Sequence, residues 1–354
     1  MPRIFIDTER LRDPYSGLGQ FCLHLGHELV RQNPDSELYK LTFGVPKAEI
    51  GIFGDAVQYH PVSWSDRVWR SAEYNVWHGT HQDVATLPAS TNRFIVTIHD
   101  LNFLERTDYS VVNKNSRLAA LQRKIDRASA ITTISEYTAS VVRQHLKVTE
   151  NKPIRVIHNG STLALDAPQQ QPAFVPESSP PFFLYLGVIH PKKNVQVLLP
   201  LLQAFPDYQL ILAGDNTHDY ALHVRQQAIN LGVSQQLLMP GTVSDAEKAW
   251  LYAHCEAFLF PSLSEGFGLP VVEAMQMGKP VFLSNSTSLP EVGGMDAFYF
   301  DSFEPDELVN TFREGMLDYH GDPLRADRLR WYARRFSWQK AAKAYWEVYI
   351  ANAQ

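Results

Sequence analysis

Two glutamates eight residues apart, Glu265 and Glu273, lie in the stretch SEGFGLPVVEAM from Ser264 to Met275. A strand-like apolar run ends just before it at Pro261. Pro270 falls where a first helical position is expected, and its fixed φ suits a helix start. The order predicts a strand-to-helix turn. Gly266 and Gly268 admit backbone angles and close approach that a side chain blocks, so amides near the helix start can face an anion. A diphosphate is a natural guest. A carboxylate on either side of that turn can accept from sugar hydroxyls, in charge-assisted bonds worth roughly 1.5 to 3 kcal/mol each. Read alone, Glu273 equally well only complements the helix dipole, and Glu265 is equally well a solvated loop residue.

Other residues of suitable type stand just past strand-like runs, where α/β proteins expose side chains to ligands. In GVIHPKKN, from Gly187 to Asn194, Lys192 and Lys193 offer point charges for phosphate. The run RFIVTIHD ends in His99 and Asp100; Asp100 fits a site or a turn cap. SGLGQF, Ser16 to Phe21, is like a phosphate-cradling turn through Gly17 and Gly19 but lacks the third glycine of a dinucleotide fingerprint. Ser135, with Glu136 at a helix start, fits a site position or equally well a simple N-cap, and Asn159–Gly160 reads first as a turn. No Asp-x-Asp tripeptide occurs, and the pairs His24/His27, His78/His81 and His218/His223 have no third ligand at useful spacing. No metal and no cofactor are expected.

These residues need a scaffold. The chain has 354 residues, of which 45% are apolar and 20% charged, enough for about two domains with real cores. Its net charge of -6 argues against nucleic acid as a partner. The two cysteines, Cys22 and Cys255, are far apart in apolar helical patterns, so neither a disulfide framework nor a thiolate metal site is expected. The reading favours a reducing cytosol, with neither a signal peptide nor a spanning helix. Apolar strand-like runs at 3–8, 38–45, 75–78, 94–99, 130–135 and 154–158 alternate with helical patterns at 19–32, 115–129 and 136–147. A connector rich in proline and glutamine follows at 165–181, from Leu165 to Pro181. The rhythm then restarts, with strands expected at 182–189, 208–214, 236–241, 257–262, 280–284 and 297–300. Continuous apolar strands imply burial on both faces, hence two doubly wound parallel sheets of an α/β protein. A basic helix around Lys114, Arg117, Arg123, Lys124 and Arg127 fits either a solvated face or peripheral contact with an anionic membrane.

The segment from Glu265 to Glu273 resembles the signature of the retaining glycosyltransferases of family 4, group 1, in which two glutamates are separated by seven residues. The likeness covers most of the chain and is strongest at 182–291. It implies the GT-B fold: a Rossmann-like acceptor domain at 1–170, a donor domain at 171–335, and a closing helix at 336–354 packed back on the first, with Trp338 and Trp346 as packing residues. It further implies that Glu273 grips the donor ribose and that Glu265, with the backbone at Gly266, Phe267, Gly268 and Leu269, meets the transferred sugar and phosphates. Lys193 matches the family's lysine at the diphosphate, His99 its histidine near the reacting sugar, and Gly17 and Gly19 its glycine loop. Many relatives carry arginine directly after the glycine at 187, where this chain has Val188, so one phosphate contact is absent unless Lys192 supplies it. The implied partners are a nucleotide diphosphate sugar and a glycan or lipid-linked glycan. The implied activity is metal-independent hexosyl transfer, with a lean to GDP-mannose and bacterial surface polysaccharide. A non-catalytic nucleotide-sugar-binding subunit or another GT-B enzyme such as an epimerase is the alternative.

Overall fold

The computed structural model describes residues 1–62, 73–85, 87–88, 93–106, 108–164 and 166–353. Leu165 and Gln354, at the edges of the expected connector and closing helix, lie outside the described residues. The chain divides into two compact units, one formed by Met1–Gly160 with the segment from Phe336 onward, the other by Ser161–Arg335.

In the first unit, strands β1 (Arg3–Asp7), β2 (Lys40–Val45), β3 (Gln58–Pro61), β4 (Val76–Gly79), β5 (Arg93–Ile98), β6 (Ala130–Thr133) and β7 (Ile154–Val156) form one parallel sheet. Their spatial order is β3-β2-β1-β4-β5-β6-β7. Helices α1 (Gly17–Arg31), α2 (Val111–Arg127) and α3 (Glu136–His145) begin at Ser16, Ser110 and Ser135, each of which accepts a backbone N–H with its hydroxyl.

The second unit repeats the plan. Strands β8 (Phe182–Leu186), β9 (Gln209–Ala213), β10 (Leu237–Gly241), β11 (Ala257–Phe260), β12 (Val281–Ser284) and β13 (Phe298–Phe300) pair in parallel in the order β10-β9-β8-β11-β12-β13. The helices are α4 (Leu199–Ala204), α5 (Asp219–Asn230), α6 (Asp245–His254), α7 (Leu269–Gln276), α8 (Leu289–Gly293), α9 (Pro305–Gly321) and α10 (Arg325–Ala333). Residues of β8, β11 and β12 are buried on both faces, which accounts for their uninterrupted apolar sequence.

The elements β3, α5, α8 and α10 escaped the sequence reading. The edge strand β3 has the partly exposed sequence QYHP and no apolar run, while α5 and α10 are rich in polar residues. The unit boundary falls at 160/161, ten residues before the expected 170/171, because Ser161 and Thr162 hydrogen-bond to Gln276 and Glu273 of α7.

The last helix, α11 (Trp338–Ala353), is part of the first unit. Trp346 donates from Nε1 to the Leu29 carbonyl at 3.1 Å, and Tyr345 shares hydroxyl bonds with Thr97 and Thr132. Gly160 allows the start of α11 to approach, since a Cβ there would lie 2.2 Å from the Trp338 nitrogen. Fully buried His78 is satisfied on both sides, Nδ1 by Tyr349 at 2.7 Å and Nε2 by Thr97 at 2.8 Å. Tyr349→Phe strands one imidazole nitrogen in the core, and is expected to cost about 1 to 3 kcal/mol. Urea denaturation measures this; an unchanged midpoint would show that the bond contributes nothing.

Candidate active site

The order of the second sheet reverses at β8 and β11, which are neighbours although not consecutive in sequence. Ligands of open α/β sheets bind beyond the strand ends at such a point. The loop after β8 carries Lys193 and the loop after β11 carries Glu265. Leu263 donates its N–H to the Lys192 carbonyl at 2.8 Å, tying the two loops together. Lys193 Nζ and the Glu265 carboxylate form an ion pair, with only 14% and 12% of their side chains exposed. Two residues expected to face different parts of a donor are thus bonded to each other. The ammonium has three N–H donors, so two stay available for phosphate oxygens with the pair intact. Lys192 is exposed, and Val188, where an arginine was missed, is 41% exposed.

The loop between β11 and α7 is held by residues after β12. Ser288 donates to the carbonyls of Glu265 and Phe267 at 2.9 and 3.0 Å. In a planar trans peptide the N–H points opposite the C=O, so the amides of Gly266 and Gly268 point away from Ser288. Glu265 in turn donates its N–H to Thr287 Oγ1 at 3.1 Å. Thr287 has φ +55°, a costly conformation for a β-branched residue. Gly268 has φ +113° and caps α7, and a Cβ there would lie 2.9 Å from Leu289. These serine and threonine contacts were not read from the sequence.

Glu273, in the second turn of α7, is 4% exposed. One carboxylate oxygen accepts from Thr162 Oγ1 and lies 3.5 Å from Lys248 Nζ; the other accepts from Tyr252 at 2.8 Å. Lys248 and Tyr252 are four residues apart on α6 and so share a face. A lysine inside the apolar run EKAWLYAHC was the available signal for them. Burial alone would lower the Lys248 pKa, but Glu273 and Asp245 outweigh it and hold the ammonium charged.

Residues 166–336 match the family described as Glycosyl transferases group 1, and residues 15–165 match Glycosyltransferase Family 4. The chain belongs to the group 1, family 4 glycosyltransferases of the GT-B fold. This glycosyltransferase is 26% identical to O-antigen chain mannosyltransferase B of Escherichia coli over 95% of this chain and 96% of that one. It is 29% identical to O-antigen chain mannosyltransferase RfbU of Salmonella typhimurium over 71% of this chain and 67% of that one. Its fold is similar to that of Anabaena HepE in complex with UDP-glucose, with TM-score 0.76 and 17% identity over 99% and 100% of the two chains. A glycosyltransferase from Rickettsia africae gives the same TM-score at 15% identity, over 100% and 99%.

In the first unit of the glycosyltransferase, the sheet order reverses at β1 and β4. Past their ends, His81 Nε2 lies 3.0 Å from a Glu9 carboxylate oxygen and 3.1 Å from Arg10 Nε, while Nδ1 accepts from the Asp83 N–H. This pair was also missed from the sequence. His99 follows β5, 5% exposed, with its ring edge-on to Phe21. Its Nε2 lies 2.8 Å from the Thr80 carbonyl, which can only accept, so Nε2 carries the proton and Nδ1 of the neutral ring is an acceptor. Asp100 accepts from the Asn102 N–H at 3.1 Å, which is the turn-capping role. Gly17 and Gly19 do not form a free loop: they lie in the first turn of α1, and a Cβ on Gly19 would lie 2.0 Å from the Asp13 carbonyl oxygen. Among the described residues, no group of three or more His, Cys, Asp or Glu is placed to hold a metal ion, and no helix is long and apolar enough to cross a membrane.

Burial lowers His78 and His99 from 6.5 to about 3. Between those values the unfolded chain carries a proton on each that the native chain lacks. Stability therefore falls as pH drops through that window, by up to about 1.4 kcal/mol per pH unit per histidine. Burial, reinforced by Glu9, raises Asp7 from 3.8 to about 7, so this group works the other way: its stabilisation is lost as pH rises through about 7. Proton NMR is expected to show the His78 and His99 ring signals unmoved from about pH 8 to about pH 5. A midpoint near 6.5 for either ring would contradict this burial.

Proposed function

We propose that this glycosyltransferase moves a hexose, with retention at the anomeric carbon and without a metal, from a nucleotide diphosphate sugar to a glycan or lipid-linked glycan. Mannose from GDP-mannose is the preferred donor, and O-antigen assembly in lipopolysaccharide synthesis the setting, a reading supported by the two mannosyltransferase relatives. The observation that carries the proposal is the Lys193–Glu265 pair at the reversal of the second sheet, beside the Gly266 and Gly268 amides at the start of α7. As the sugar departs, charge grows on the diphosphate, and a fixed ammonium with two oriented amides stabilises that charge more than the ground state. Glu265 accepts from hydroxyls of the transferred sugar, and Glu273 from those of the ribose. In this reading the first unit serves the acceptor side. His99, neutral, contributes a hydrogen-bond acceptor to a substrate hydroxyl rather than a positive charge.

We further propose peripheral contact with the inner face of the membrane through α2, whose Val111 and Val112 are 73% and 76% exposed beside Lys114 and Arg117. Pelleting with anionic vesicles that is unaffected by Arg117→Glu would remove this contact.

Release of nucleoside diphosphate, measured with and without acceptor across a panel of nucleotide sugars, tests the function. Glu265→Gln keeps the side chain's shape and is expected to slow transfer at least about tenfold, equivalent to about 1.4 kcal/mol of barrier, with the fold intact. Wild-type turnover in that variant removes Glu265 from the mechanism. Stoichiometric binding without turnover on any acceptor would instead favour a non-catalytic binding subunit.

A further inference from the structure

The Glu273 carboxylate has little spare capacity. Two carboxylate oxygens offer about four acceptor sites. Thr162 and Lys248 both address Oε1, and Tyr252 addresses Oε2. A grip on two neighbouring ribose hydroxyls needs a site on each oxygen, so one partner of Oε1 has to leave. The two differ in chemistry. Thr162 presents an uncharged aliphatic hydroxyl, the same group that a ribose brings. It belongs to a stretch without regular structure and is only partly buried. Lys248 carries the charge that balances a buried carboxylate and is also held by Asp245 at 3.3 Å. The stretch around Thr162 has a second anchor on α7: Ser161 donates to Gln276 Oε1 at 2.6 Å and accepts from the Leu163 N–H at 3.2 Å. Exchange at Thr162 therefore leaves the stretch attached.

We propose that the Thr162 hydroxyl holds the place on Glu273 that a ribose hydroxyl of the donor takes, and that Lys248 is the positioning residue that keeps Glu273 aimed through the exchange. The inference rests on the reading of Glu273 as the ribose-binding carboxylate. It makes nucleotide binding a swap of one hydroxyl for another on a carboxylate whose charge partner stays fixed. The swap costs affinity in return for an Oε1 acceptor site that is never left empty. Tyr252 completes the frame from below, fully buried and within 3.1 Å of the Pro270 carbonyl.

The test is calorimetric titration of the protein with GDP and UDP and with their 2′,3′-dideoxy counterparts. Thr162→Val keeps the shape and deletes the competing hydroxyl; it is expected to bind the ribonucleotides about tenfold more tightly, with dideoxy binding unchanged. Lys248→Met is expected to weaken ribonucleotides by about tenfold, again without effect on the dideoxy forms, and Lys248→Arg to restore most of the loss. Ribonucleotide binding that is weaker or unchanged in Thr162→Val overturns the exchange. An equal loss for ribo and dideoxy forms in Lys248→Met reduces Lys248 to a structural residue and overturns its positioning role. Should Lys248→Met fail to fold, the isosteric Thr162→Val series still decides the exchange, and Lys248→Gln, which keeps a hydrogen-bond donor and loses the charge, decides the positioning: a loss confined to the ribonucleotides supports it, and an equal loss or none overturns it. A wild-type protein that binds neither nucleotide, or binds both sugar forms alike, overturns the ribose reading of Glu273 and this inference with it.

Discussion

Two carboxylates kept almost out of water organise the second unit. Glu265 and Glu273 are 9% and 4% exposed, and a buried carboxylate persists only when cations and hydrogen-bond donors surround it. That requirement fixes where other elements must go. Lys193 has to arrive from the loop after β8, which is possible because β8 and β11 are neighbours at the reversal of the sheet. Lys248 and Tyr252 must lie on one face of α6, and Thr162 must reach α7 from the stretch that follows Gly160. The strained backbone at Thr287 belongs to the same arrangement, since its hydroxyl receives the Glu265 amide while Ser288 takes the neighbouring carbonyls. Strain of this kind persists where its surroundings over-determine it.

The first unit meets a related requirement with neutral groups. His78 and His99 are buried without a counter-charge, His78 bonded at both ring nitrogens to hydroxyls and His99 at Nε2 to a carbonyl, and burial keeps both uncharged. Its own strand reversal, at β1 and β4, brings Glu9 to His81 as the other reversal brings Lys193 to Glu265. The tyrosines of α11 close the core from the far end of the chain, which makes the last sixteen described residues structural for a unit that begins at Met1.

The double parallel-sheet plan was legible because strands buried on both faces must be continuously apolar, and runs such as FFLYL and AFLF satisfy that with few alternatives. The glutamate pair and Lys193 were legible because their spacing is local and stands directly after such strands. What stayed hidden depends on register between elements distant in sequence. No periodicity in EKAWLYAHC says that Lys248 meets a glutamate 25 residues later, and nothing in the stretch NGSTLA marks Thr162 as its neighbour; both follow only once α6 and α7 are packed. The local conformation at Gly17 and Gly19 was hidden for a different reason. Their composition fits a phosphate loop, but Ser16 caps a helix there and Gly19 serves close packing against Asp13. The edge strand β3 was invisible because an edge need not be apolar.

We propose that the loop from Glu265 into α7 holds a nucleotide diphosphate sugar, with Lys193 at the phosphates and Glu273 at the ribose. A crystal structure of the protein with GDP-mannose, or with whichever donor stabilises it most, tests this most directly. Phosphate oxygens are expected within hydrogen-bond distance of Lys193 Nζ and of the Gly266 or Gly268 amide, and ribose hydroxyls on the Glu273 carboxylate. A nucleotide bound elsewhere, with the Glu273 partners unchanged and Lys193 remote from phosphate, would contradict it.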